Sequence, residues 1–133
     1  HFDIHAYSIP EEEIFDISGT DTAEPAANRV PAGYHYDGVN AVVPEMGVHA
    51  LKEEDLEPPF TEVMVLGFWH GSQIFVEPMI TQDRFENKAE FTLPIAAPAV
   101  IGRSTLYPTR FTADYDEASD TYSFTFDEFV ERN

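Results

Sequence analysis

The chain has no cysteine, so disulfides, thiolate zinc sites and cysteine nucleophiles are excluded together. Basic residues are scarce: seven Lys and Arg stand against 25 Asp and Glu, a formal charge of −18. A nucleic-acid partner needs cations to displace counterions, and a polybasic membrane anchor needs them to meet acidic lipid. The charge balance argues against both. No apolar run approaches the ~20 residues of a membrane-spanning helix. A Gly-x-Ser-x-Gly elbow, a Gly-rich phosphate loop and the two-His helix of zinc proteases are also missing. What is present is 133 residues, 43% apolar and 14% aromatic, beginning at His1 rather than Met. That first residue suits a processed product or an incomplete N-terminus. The composition is too hydrophobic for disorder and suits one β-rich domain over 1–133.

Period-2 alternation opens the chain. Phe2, Ile4 and Ala6 fall on one strand face, and His1, Asp3, His5 and Tyr7 on the other. Ser8 or Ile9 then caps a short helix over 10–16, with Pro10 in its first turn and Glu11, Glu12 and Glu13 at its positive end. Residues 18–59 carry little periodicity and many Gly and Pro, which reads as a long loop that is either functional or a misassigned segment, with Val30, Tyr34, Tyr36 and Val48 among its packing groups. Phe60–Trp69 and Gln73–Ile80 read as a hairpin turning at His70-Gly71-Ser72. Thr81 caps one or two helical turns through residue 88, and Glu90–Ile95 is a further strand. Arg110–Tyr115 and Thr121–Phe129 form a second hairpin, with Tyr122, Phe124 and Phe126 on one face. The expected fold is α+β, mainly antiparallel sheet with one or two short helices. A βαββαβ core followed by a C-terminal hairpin is one compatible layout, and a β-barrel or jelly roll is the alternative.

The chemistry-bearing residues are imidazoles and carboxylates. His1, Asp3 and His5 share a strand face, where neighbouring positions lie about 7 Å apart. His1 and His5 would be about 13 Å apart on the same rise, too far to share an ion unless the strand bends. Glu77 supplies a carboxylate from the first hairpin, where Pro78 suggests an edge or bulge. His49 comes from a loop that Gly47 lets approach closely. Together His1, His5, His49 and Glu77 make a candidate metal set, with Asp3 as substitute or supporting partner. Mixed His/carboxylate sites suit zinc first; copper, iron and manganese take similar ligands. His1 could also chelate copper through its α-amine and imidazole.

The other candidates have plainer readings. His70 is a turn residue, and His35 belongs to an aromatic surface loop. Asp114-Tyr115-Asp116-Glu117-Ala118-Ser119-Asp120 gathers four carboxylates at a turn but lacks EF-hand spacing, which leaves weak surface calcium binding. Glu53-Glu54-Asp55-Leu56-Glu57 reads as a solvated face. Only Lys52 and Lys88 represent lysine, a composition that suits a salt-adapted surface.

Four fragments in order carry a resemblance: His1-Phe2-Asp3-Ile4-His5-Ala6-Tyr7, Met46-Gly47-Val48-His49, Glu77-Pro78-Met79-Ile80-Thr81 and Tyr107-Pro108-Thr109. They resemble a domain-of-unknown-function family of exported bacterial and archaeal proteins, one member of which is under extracytoplasmic sigma-factor control. The resemblance implies an exported, oligomer-forming β-rich domain with no established reaction. The chain departs from the family pattern at Ala50, where an aromatic is more usual, and in its more acidic middle.

The sequence therefore leads to an exported, self-associating domain that binds a divalent metal in a structural or sequestering role. A metal-dependent lyase, isomerase or oxygenase is the enzymatic alternative, and a metal-free subunit of an extracellular assembly is the third. A non-enzymatic role is favoured. A homo-oligomer joined through aromatic strand faces or added edge strands is expected, located outside the cytoplasm or in the periplasm.

Overall fold

The period-2 segments become strands, and the main core forms where apolar faces of two sheets meet. A computed structural model describes residues 1–55, 57 and 59–133. Leu56, part of the acidic run, and Pro58, part of the turn-rich middle, lie outside the described residues. The N-terminal elements are β1 (Phe2–Asp3), β2 (Ala6–Tyr7) and α1 (Glu11–Ile14). Then come β3 (Tyr34–Tyr36), β4 (Val42–Val43), β5 (Gly47–Lys52), β6 (Glu62–Trp69) and β7 (Ser72–Ile80). After α2 (Gln82–Glu86) come β8 (Phe91–Pro94), β9 (Thr105–Tyr107), β10 (Arg110–Asp116), β11 (Thr121–Asp127) and β12 (Val130–Arg132).

In the larger sheet, β7 lies between β6 and the β1/β2 pair, and β5 lies between β6 and the β3/β4 pair. A three-stranded sheet runs β11-β10-β8, and β12 pairs with β9. Every pairing among the described residues is antiparallel. The β-rich, antiparallel expectation with two short helices holds. The βαββαβ layout does not describe these pairings, because it needs a parallel strand pair and each helix here is too short for a crossover.

The main core forms where the two sheets meet. Val48, Leu66, Phe68, Val76 and Ile80 from the larger sheet pack against Phe91, Phe111 and Ala113 from the smaller one, all buried. Tyr107 joins them from β9, its hydroxyl donating to the Ala96 carbonyl. On the opposite face of the larger sheet, Ile74 and Phe75 are covered by Ile9, Ile14 and Ile17 from the segment around α1.

Several local expectations are met and others corrected. The first hairpin turns through His70 (φ 50°) and Gly71 (φ 66°), the left-handed pair that a two-residue turn between twisted strands requires. The Thr81 side chain accepts the Arg84 N–H and caps α2. At α1, Pro10 itself takes the N-cap position, while Ser8 Oγ donates to the Ile74 carbonyl instead. The long loop expected over 18–59 contains β3, β4 and β5, and β5 lies inside the sheet. Short strands beside Gly and Pro left too few alternations to register as a pattern. Phe2 belongs to no buried face: it is 53% exposed and rests edge-on against Phe85.

Two features of β6 and β7 shape the outer face of the larger sheet. Phe68 faces Gln73 while Gly67 faces Phe75, so Ile74 is the extra residue of a bulge and shares that face with Phe75. The Phe75 ring lies over Gly67, where a Cβ would come 1.9 Å from it. Replacing Gly67 by Ala is therefore expected to cost about 2 kcal/mol through overpacking. Chemical denaturation measures this, and the cost should largely vanish in a Phe75→Leu background, since the two positions share one space. Equal costs in both backgrounds would show that the ring is not what Gly67 accommodates.

Candidate metal centre

The strand registers bring three of the candidate residues onto one face. Phe2 pairs with Ile80, Asp3 with Met79, Ala6 with Val76 and Tyr7 with Phe75, a single unbroken register. It sets Ile4 opposite Pro78 and His5 opposite Glu77. The Ile4 N–H donates to the Pro78 carbonyl at 3.2 Å. The reciprocal bond needs an N–H that proline lacks, so the ladder is interrupted there between β1 and β2. Pro78 thus marks a gap in pairing within a central strand, rather than the edge or bulge expected from sequence.

On the other side of β7, Glu77 faces Val65, and across β6 His49 faces Gly67. His49 therefore projects from β5, not from a loop. Gly47 opens that strand at φ 84°, where a Cβ would collide with the Phe68 carbonyl at 2.2 Å. With no side chain at Gly67 between them, His49 reaches across β6 toward Glu77. His5 Nε2 lies 3.5 Å from Glu77 Oε1, and His49 Nε2 lies 3.6 Å from Glu77 Oε2. One ligand atom from each of the three residues falls within 4.8 Å of the others. Among the described residues this is the one such group of three.

Phe75 forms the apolar side of the site. Its ring meets His5 edge-on at 4.9 Å, His49 at 5.5 Å and Tyr7 at 5.1 Å between centroids. Tyr7 also stacks on His5 at 5.8 Å. Neither Phe75 nor Gly67 stood out in the sequence. A glycine in the middle of an apolar strand is the signal for such a close approach.

The polar atoms are oriented but unsatisfied. His49 Nδ1 lies 3.2 Å from the Ala41 carbonyl, which can only accept, so that nitrogen carries the proton. Its Nε2 then presents a lone pair toward Glu77, the arrangement that metal-binding imidazoles use. Buried His5 Nε2 and Glu77 Oε2 have no hydrogen-bond partner. The 3.5 and 3.6 Å separations exceed the usual N–H···O range. Each imidazole thus faces a different Glu77 oxygen at close to the roughly 3.4 Å that separates two atoms bound at ~2.1 Å to one tetrahedral ion. The donor set is two imidazoles and one carboxylate, which suits zinc and other first-row divalent ions.

The remaining candidates lie elsewhere. His1 Nε2 is 3.3 Å from Asp3 Oδ1 and its ring faces Phe60, so His1 joins Asp3 rather than the three-residue group. Asp3 acts on the site through its charge, which favours the protonated forms of Glu77 and His5. His70 sits at the hairpin turn, paired with Asp21. His35 is exposed on β3. In the acidic turn, Asp116 accepts from the Ala118 N–H and Ser119 Oγ, and Asp120 pairs with Lys88 and Tyr115. These carboxylates serve the turn itself and do not converge as calcium ligands.

A cavity of about 450 Å³ shares the Tyr7 and Phe75 walls but is lined by none of His5, His49 and Glu77. No family model, curated protein or solved structure matches this chain.

Burial, with the Asp3 charge adding to it, raises the Glu77 carboxyl from 4.5 to about 7. Burial and the neighbouring His49 lower His5. In metal-free protein the folded state therefore holds a proton on Glu77 that the unfolded chain releases at lower pH. This contribution makes stability fall as pH rises from about 4.5 to about 7. The lowered His5 acts in the opposite sense, so the Glu77 part is isolated by comparison with Glu77→Gln. That variant should exceed the parent by about 3 kcal/mol at pH 8 without metal, and the advantage should disappear near pH 4. Denaturant titrations across pH measure it. A difference that does not change with pH would show that Glu77 titrates normally.

Proposed function

We propose that the chain is an exported, self-associating β domain that binds one divalent metal ion, zinc first, through His5, His49 and Glu77. The carrying observation is the convergence of three ligand atoms from β5, β7 and the break between β1 and β2, two of them buried without partners. Binding of an ion would satisfy both atoms at once and would take the ionised form of Glu77. It would also tie the segment joining β1 and β2 to β5 and β7, which is the structural role; a chain that gives up the ion slowly would sequester it. Export and self-association draw their support from the fragment resemblance and from the apolar, aromatic strands.

The enzymatic alternative is favoured by one feature: three protein ligands leave a coordination position open, as catalytic zinc and two-His-one-carboxylate iron sites do. The lining of the 450 Å³ cavity weighs against it, because substrate there would be walled off from the ion by Phe75 and Tyr7. The binding role is therefore the stronger reading.

Purified protein equilibrated with zinc and freed of excess should hold about one ion per chain by elemental analysis. At free zinc 100-fold above Kd the ion adds about 2.7 kcal/mol of stability. The double variant His5→Ala/His49→Ala should lose both the ion and the zinc-dependent rise in Tm. Full retention of zinc by that folded variant would remove the proposal.

A further inference from the structure

We infer that β11 is a self-pairing edge, at which two copies of the chain join antiparallel and extend the three-stranded sheet to six strands. The inference rests on the self-association proposed for the chain and is independent of the metal centre.

Free strand edges invite pairing, and folded proteins blunt them with short strands, proline or charge. Most edges here are blunted. β8 has four residues and ends in Pro94, β3 has three residues, and β1 and β2 have two each. The exception is β11, seven residues long and paired among the described residues only with β10. From Thr121 to Phe126 it reads Thr-Tyr-Ser-Phe-Thr-Phe, with no charge and no proline. Ser123, Phe124 and Thr125 are exposed, Phe124 by 43%.

Charge limits where two copies can meet. At −18, two copies repel each other over most of their surfaces. A strand edge without carboxylates is where they can approach. The acids at its two ends already have partners: Asp120 bonds Lys88 at 2.7 Å, and Asp127 is held by Arg110 through two bonds of 2.8 Å. In an antiparallel pair each end meets the opposite end of the copy, so these local neutralisations lie at both rims of the contact.

Apolar surface borders the same edge. Phe124 contacts Phe85 at 5.8 Å, and Phe85 contacts the exposed Phe2 at 5.4 Å. A two-fold axis perpendicular to the sheet keeps both aromatic faces on one side, so the two patches adjoin. The same symmetry sets Ser123 and Thr125 on the opposite face, directly across from their counterparts.

The cysteine-free chain makes the test direct. Ser123→Cys and Thr125→Cys, oxidised alone and as a mixture, cover the three central registers of such a pair, whose facing Cβ atoms come close enough for a disulfide. Sedimentation of the full chain with chelator, from about 0.05 to about 1 M salt, should show a dimer that strengthens as salt screens the acids. At least one cysteine pairing should give a covalent dimer, whereas Glu117→Cys in the adjoining turn should not. Ser123→Lys with Thr125→Lys should weaken dimerisation at least tenfold, since lysines would then face lysines. A dimer that gives no cross-link in any pairing and ignores the lysines overturns the edge assignment while leaving self-association intact. A monomer across the whole salt series overturns both.

Discussion

The packing of Phe75 on the bare backbone of Gly67 is the contact around which the outer face of the large sheet is organised. A side chain at residue 67 would push the ring away, and the ring touches His5, His49 and Tyr7 at once. The absence of a Cβ also clears the line along which His49 reaches Glu77 from two strands away. One glycine thus links strand pairing to the geometry of the ionisable cluster. Aromatic contacts of this kind contribute modestly in energy. Their effect here is mainly positional, because two imidazoles share one wall.

Against that wall stands an energetic conflict. Glu77 is almost fully buried, and burial opposes its charge strongly enough to raise its pKa to about 7. The same burial opposes charge on His5, so a simple carboxylate–imidazolium pair is disfavoured from both sides. A protonated Glu77 removes the charge but leaves atoms 3.5 and 3.6 Å apart, beyond good hydrogen-bond length. A divalent ion bound there, as proposed, would compensate the carboxylate and require neutral imidazoles. The three groups therefore form a set that could hold a cation.

Much of this arrangement is legible in the residues alone, and the failures have physical causes. The 60–80 hairpin is legible because alternation, length and the His70-Gly71 turn agree. The pairing of His5 with Glu77 is hidden, since nothing local says which strand lies beside β2; only the register with β7 decides it. Gly47 and Pro44 flank a strand of few alternations, so His49 reads as a loop residue, yet tertiary pairing with β6 makes it part of a strand. Grouping His1 with His5 rests on parity and on a bend that would close about 13 Å. That gap is not closed, and His1 meets Asp3 instead. Pro78 is recognisable as disruptive, but its effect falls on the partner strand, which breaks into β1 and β2.

Charge is distributed so that each part of the molecule meets a different constraint. Most of the 25 acids lie in exposed runs or turns, where water screens them and local donors, as at Asp116, satisfy them. Glu77 is the acid that the fold takes out of water, and it sits where two imidazoles converge. The seven basic residues are not spread evenly against the acids either. Arg103 bridges Ser8 and the Gln73 carbonyl, Arg84 pairs with Glu62, and Arg110 and Lys88 flank the ends of the second hairpin. Scarce cations placed at element junctions hold strands together where a uniform surface pairing would contribute little. The remaining negative field is then free to act outward, and the uncharged stretch of β11 is where it is weakest along a long strand edge.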